Sequence, residues 1–146
     1  MNTTTTTDTP PATTENDGPA PRVLTDEELT RLLERQRFGV LASVRSTGHP
    51  HLSTVLYDWD PEERVLSISS TADRLKVRQL RRDPHTSLHV SGPDVWSFAV
   101  AEGEAEIVDP ADGAAPAGRP APDRRVVIRI RVSRLYGTAL DIPAQD

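Results

Sequence analysis

Cysteine is absent from the 146-residue chain. Disulfides, thiolate metal sites and cysteine nucleophiles are therefore excluded, and a cytoplasmic location is the expectation. No apolar run approaches the roughly 20 residues that a membrane helix needs. The N-terminus lacks a basic patch followed by an apolar stretch, so no secretion signal is expected. Aromatic residues are scarce, at 4%, and hydrophobic residues make up 36%. That suffices for one domain with a lean core, and a lean core is a first hint of a partner subunit. Positive charge is not in excess either. Lysine and arginine number 17 against 22 acidic residues, for a net charge of −5, which argues against bulk attraction to nucleic acid. No glycine-rich loop has the spacing of a dinucleotide or phosphate-loop signature.

What is present divides the chain into three parts. Residues 1–21 carry a threonine run, Thr3 to Thr7, then Pro10, Pro11 and Pro19, with no large apolar residue after Met1. Such a segment cannot bury enough surface to offset its ordering entropy and reads as a disordered tail. Residues 22–140 read as the folded domain and 141–146 as a C-terminal tail. Thr25 and Glu28 form a capping-box pattern, and Leu29, Leu32, Leu33 and Gln36 follow at helical spacing. A helix is expected over 26–36. Strands are expected over 38–45, 49–58 and 64–69, with Ser46-Thr47-Gly48 and residues 59–63 as turns. A second helix is expected over 71–82, stopped by Asp83-Pro84. Three more strands are expected at 86–91, 95–108 and 124–137. In the last, Val126, Ile128, Ile130 and Val132 alternate with Arg129 and Arg131. In the 95–108 strand, Trp96, Phe98 and Val100 are expected to share one face. Residues 109–123 form a Pro/Ala/Gly loop. Six strands and two helices point to a mainly β barrel or sandwich, and periodicity alone does not choose between them.

The junction of the third strand with the second helix is the most informative stretch. Ser67, Ser69, Ser70 and Thr71 lead into Arg74, Lys76, Arg78, Arg81 and Arg82. A helix opening offers unpaired amides and partial positive charge, which favour anions. Arginine adds a fork of donors and lysine a point charge. The plainer reading is a solvated basic helix face, since Arg74, Arg78 and Arg81 fall on one side. No catalytic set stands out. His49 and His51 would share a strand face, but no third ligand accompanies them, so no metal site is expected. Glu102, Glu104 and Glu106 read as a solvent face. Trp96 and Phe98 read as core or as the lining for a planar ligand.

FGVLASV, GHPHLSTV, the Asp60-Pro61 turn, RLKVRQLRRDP, WSFAVAEGEAEI and DRRVVIRIRVSRLYG occur in that order. Together they resemble the pyridoxamine-phosphate-oxidase-like split-barrel family, and more narrowly its actinobacterial branch that binds the deazaflavin coenzyme F-420. The likeness spans residues 38–108 and resumes at 123–137. It implies a six-stranded split β-barrel with flanking helices, homodimeric, with the cofactor between the subunits. It further implies that Ser69, Arg74 and Lys76 hold the phosphate-bearing side of the cofactor. Pro50, His51, Ser53 and Thr54 would lie near the ring system, and Trp96 and Phe98 would come from the facing subunit. The implied activity is hydride transfer to a small activated alkene or quinone-like substrate. FMN as the cofactor, or a non-catalytic deazaflavin carrier, are the alternatives. Relatives carry a helical segment before the last strand, where this chain has only DPADGAAPAGRPAPD. That difference implies a more open groove and favours the longer anionic tail of the deazaflavin over FMN.

Overall fold

The structure is a computed structural model that describes residues 20–110 and 124–141. The expected tail over 1–21 and the loop over 109–123 lie almost wholly outside the described residues. The elements, in chain order, are β1 (Arg22–Val23), α1 (Asp26–Arg35), β2 (Phe38–Val44), β3 (Pro50–Leu56), β4 (Asp58–Asp60), β5 (Val65–Thr71), α2 (Leu75–Arg82), β6 (His85–Ser91), β7 (Phe98–Val108), β8 (Arg125–Tyr136) and β9 (Thr138–Ala139). Seven strands form one antiparallel sheet in the order β3-β2-β6-β7-β8-β5-β4, and β1 and β9 form a separate two-stranded ladder. The fold is mainly β, a curled sheet that makes a split barrel.

Period-2 alternation builds the inside of this barrel. Leu41 and Ser43 on β2, Leu66 and Ile68 on β5, Leu88 and Val90 on β6, and Val126, Ile128 and Ile130 on β8 are all buried. On β7 the inward positions are small: Ala99, Ala101, Gly103 and Ala105. Gly103 sits at a bulge, where the register to β8 shifts between Glu102 and Gly103. A Cβ at Gly103 would collide with the Arg131 carbonyl.

The helices close the two ends. The expected capping box is present in α1: the Thr25 hydroxyl accepts from the Glu28 amide at 3.2 Å, and the Glu28 carboxylate accepts from the Thr25 amide at 2.9 Å. Leu29, Leu32 and Leu33 of α1 enter the core, and the Tyr57 hydroxyl donates to the Leu33 carbonyl at 2.7 Å. Burial pushes the Tyr57 hydroxyl well above its ordinary range, so it stays a donor. At the other end, Val77 and Leu80 of α2 enter the core. The Ala105 amide donates to the Pro84 carbonyl at 2.9 Å just beyond the helix.

Three differences from the sequence expectation have physical causes. Trp59 and Asp60, expected in the turn, belong instead to a short strand, Asp58–Asp60. Three residues are too short to show periodicity, and the turn proper is built by Asp60, whose Oδ1 accepts from the Glu62 and Glu63 amides at 3.0 and 3.2 Å. Arg64 then adopts φ 57, and its guanidinium forks onto Asp26 at 3.0 and 3.2 Å. The second helix begins at Leu75, because the ladder with β8 continues through Thr71 and the Ala72 amide donates to Arg124. Trp96 does not share the strand face of Phe98 and Val100. It precedes β7 in a turn held by its own amide on Asp94 Oδ1, at 2.8 Å.

Gly103→Ala is expected to destabilise the protein by about 1–3 kcal/mol, the usual cost of forcing extra volume into a packed position. Thermal unfolding followed by circular dichroism measures it. An unchanged midpoint would show that the bulge tolerates a side chain.

Candidate functional site

The sheet does not close on itself. Among the described residues β3 pairs only with β2, and β4 covers only Val65 to Ser67 of β5. Past that point the edge of β5, from Ile68 to Thr71, faces the free edge of β3 across a split. Two edges with unpaired backbone groups side by side are an unusual feature to leave unprotected. α2 lies over one end of the split. Near the other end is a cavity of about 490 Å³ whose lining includes Leu56, Tyr57, Trp59, Ser67 and Ser69, a size typical of small-molecule sites.

The α2 end carries the cations. Arg74 is the N-cap residue and makes no side-chain cap bond; its carbonyl accepts from the Val77 and Arg78 amides, so the amides of Leu75 and Lys76 are the ones left for solvent or a ligand. Lys76 is half-buried. Burial, and secondarily the charge of Arg74, hold its ammonium below the ordinary lysine range. Neither Arg74 nor Lys76 makes an ion pair among the described residues. The carboxylate in this turn, Asp73, accepts from the Thr71 hydroxyl at 2.7 Å. Ser69 points outward from β5 and its hydroxyl accepts from the guanidinium of Arg125, which stands opposite Thr71 on β8. Three cations thus gather around the end of β5.

β3 presents two different faces. His51 and Ser53 stand opposite Ser43 and Leu41 and point inward. His51 Nδ1 lies 2.9 Å from Gln79 Oε1, and the Ser43 hydroxyl donates to the same oxygen at 2.6 Å. With the Gln79 amide oriented so that Oε1 faces both groups, both donate. That orientation assigns His51 as the Nδ1–H tautomer, with Nε2 left as the acceptor. Ser53 Oγ and Trp59 Nε1 are buried with no hydrogen-bond partner among the described residues. Such orphans are costly unless something satisfies them.

The residues singled out from the sequence therefore fall into two groups. The structure gathers Ser69, Arg74 and Lys76 at the strand–helix junction and puts His51 and Ser53 on the inner face near α2. Pro50 and Thr54, on the alternate positions of β3, point to the outer face of the sheet. Phe98 also points outward and stacks on His89, with ring centroids 5.2 Å apart. Trp96 is half exposed in its turn. These four do not join the first group within one chain. Three participants went unnoticed in the sequence: Gln79, Ser43 and Arg125. Gln79 reads as a helix surface position until α2 is packed. Arg125 was visible only as part of a charged strand start.

A bound flavin-type cofactor is compatible with this arrangement. The orphaned Ser53 and Trp59 polar atoms suit a heteroatom-rich ring edge, and the unpaired cations suit a phosphate. Among the described residues no group of three His, Asp or Glu side chains is placed to hold a metal, and no helix is long and apolar enough to cross a membrane.

The tautomer assignment predicts that 15N–1H correlation spectra of His51 report a protonated Nδ1. In Gln79→Leu that bias is expected to vanish, with the ring reverting to the Nε2–H form that free histidine prefers. A spectrum of the unsubstituted protein dominated by Nε2–H would contradict the assignment.

Solved structures share this fold. An F-420 reductase is 27% identical, with 76% of this chain and 98% of that chain covered and a TM-score of 0.62. An FAD-binding protein from Mesorhizobium loti is 23% identical over 83% of this chain and 99% of that one, at a TM-score of 0.66. A conserved hypothetical protein from Mycobacterium tuberculosis is 22% identical over 88% and 95%, at a TM-score of 0.69. The last two speak to the fold alone. The sequence profile of pyridoxamine 5'-phosphate oxidase matches residues 25–139. The chain therefore belongs to the pyridoxamine 5'-phosphate oxidase family of flavin-binding oxidoreductases.

Proposed function

We propose that this protein is a homodimeric, coenzyme F-420-dependent oxidoreductase that reduces a small activated alkene or quinone-like substrate. The observation that carries the reading is the pair of unpaired cations, Arg74 and Lys76, at an uncapped helix opening beside an open split. Holding two like charges together, one of them partly desolvated, is unfavourable unless an anion joins them. The likeness to an F-420 reductase supports the choice of deazaflavin.

In this reading the amides of Leu75 and Lys76, the side chains of Arg74 and Lys76, and the Ser69–Arg125 pair hold the phosphate-bearing side. His51 Nε2 and the Ser53 hydroxyl meet polar atoms of the ring edge. Leu56, Tyr57 and Trp59 line the cavity beyond. When bound and reduced, the coenzyme supplies the hydride to an electron-poor carbon. The protein's part is to orient the two reactants, and solvent supplies the balancing proton.

The outer face of the sheet supports the dimer. Phe38 and Leu56 are paired neighbours that are 62% and 72% exposed, and Leu52, opposite Ala42, is 61% exposed. Val40, Thr54, and the stacked His89 and Phe98 extend the same face. An apolar patch of this kind marks an interaction surface. A second copy seated there would bring Thr54, Trp96 and Phe98 beside the partner's groove, which is the role the outward group needs.

Titration of the full chain with oxidised and reduced coenzyme F-420, with FMN in parallel, tests the function. Deazaflavin binding tighter than FMN, with turnover on an activated alkene, is the expected result. A folded dimer that binds neither form, or a yellow protein purified with FMN, overturns it. Binding without turnover across a panel of activated alkenes and quinones would make the protein a carrier.

Arg74→Ala and Lys76→Ala are each expected to weaken coenzyme binding about ten- to hundred-fold, as loss of a charge-assisted hydrogen bond worth about 1.5–3 kcal/mol implies. Affinity should also fall at alkaline pH. Lys76 binds the anion only when protonated, and its pKa is lowered in the free protein, so the fall begins below the ordinary lysine range of about 10.4. The bound anion shifts the pKa back upward. Lys76→Arg should remove this pH dependence. Phe38→Glu should yield monomers in sedimentation velocity and lose coenzyme affinity together.

A further inference from the structure

A second cationic pocket lies between the β2–β3 turn and α2, and shares only Leu75 and Gln79 with the proposed cofactor site. It encloses about 460 Å³ and is lined by Arg45, Ser46 and Thr47 from the turn and by Leu75, Arg78, Gln79 and Arg82 from the helix. Three guanidinium groups and two hydroxyls line it, and no carboxylate does. None of the three arginines makes an ion pair among the described residues. Arg82 donates to the Val44 carbonyl, which ties the helix to the end of β2 and fixes one wall. In a chain of net charge −5, a pocket whose charged lining is entirely cationic stands apart.

Gln79 supplies the independent observation. It is only 4% exposed. Its Oε1 is fully engaged by the Ser43 hydroxyl and His51 Nδ1. Its amide nitrogen has no partner among the described residues, and the side chain lines the pocket. The amide nitrogen is a donor open to the pocket, beside three arginines, and is free to meet an acceptor there.

We propose that this pocket is an oxyanion site for a carboxylate or phosphate group, and that the occupant accepts from Gln79 Nε2 and from the guanidinium groups of Arg45 and Arg78. An anion here polarises the amide whose oxygen holds His51. Occupancy of the pocket therefore reinforces the tautomer of a residue in the split. Two sources carry the required chemistry: a free small anion, or the far end of a long anionic ligand already held at Arg74 and Lys76. The site itself does not depend on which cofactor the split takes.

The test is an NMR titration of the coenzyme-free full chain with inorganic phosphate, following the side-chain amide of Gln79 and the guanidinium signals of Arg45 and Arg78. Saturable shifts of these signals are expected, with the dissociation constant at least ten-fold weaker in Arg45→Ala/Arg78→Ala. It should be little changed in Arg74→Ala/Lys76→Ala. Both arginines of the first variant are exposed, and a native spectrum elsewhere verifies folding. Gln79 signals that do not move, shifts that persist in Arg45→Ala/Arg78→Ala, or equal shifts from chloride would overturn the proposal.

The source is then read by adding coenzyme F-420. Displacement of phosphate from the pocket identifies the ligand's own tail as the occupant. Simultaneous binding identifies a separate anion. Either result supports the site, and because the phosphate titration needs no coenzyme, it stands or falls apart from the proposed function.

Discussion

The structure depends on a sheet that stops short of closing. β3 and β5 face each other across the split without a ladder between them, and α2 covers one end of the gap. A closed barrel would have satisfied every edge. Here the edges stay free, and polar side chains take over where strand pairing ends. Gln79 is the clearest case, a buried amide that reaches from α2 to Ser43 on β2 and His51 on β3. The apolar side chains Val77 and Leu80 seat the helix, and this one polar contact sets where the helix stands relative to the free strand.

Charge is distributed to match. The outer face of β7 and β8 pairs opposite signs: Glu104 stands opposite Arg131, Glu106 opposite Arg129, and Glu102 opposite Arg134. Cross-strand pairs of this kind hold their charges in place and keep the face solvated. The cations of α2 have no such partners among the described residues. The contrast within one small molecule makes the unpaired group informative. Arg134 reaches Glu102 at 3.8 Å, whereas Arg74, Lys76, Arg45 and Arg78 make no ion pair among the described residues.

Much of this was legible in the sequence because it is local. The capping box at Thr25 and Glu28, the leucine stripe of α1, the alternation of β8 and the passage from β5 into a basic helix all follow from neighbours along the chain. The ordered motifs carried the family. What was not legible depends on register and packing. Sequence order places Pro50, His51, Ser53 and Thr54 together, but the pleat sends His51 and Ser53 inward and Pro50 and Thr54 outward. Trp96 and Phe98 are two apart, as a shared strand face requires, yet the strand starts only at Phe98. Gln79 gave no sign, since a glutamine among arginines reads as solvated until the helix is docked. Arg125 joins the site only through its ladder with β5, a pairing between residues more than fifty positions apart.

The central claim is that the free edges of β3 and β5, with the first turn of α2, form the surface that takes the cofactor. Hydrogen exchange on the full chain, with and without coenzyme F-420, tests it most directly. Slowed exchange is expected in residues 50–56 and 68–77, with β6 and the middle of β8 unchanged. Exchange that is unaltered in those two segments, or slowed only elsewhere, would contradict the account.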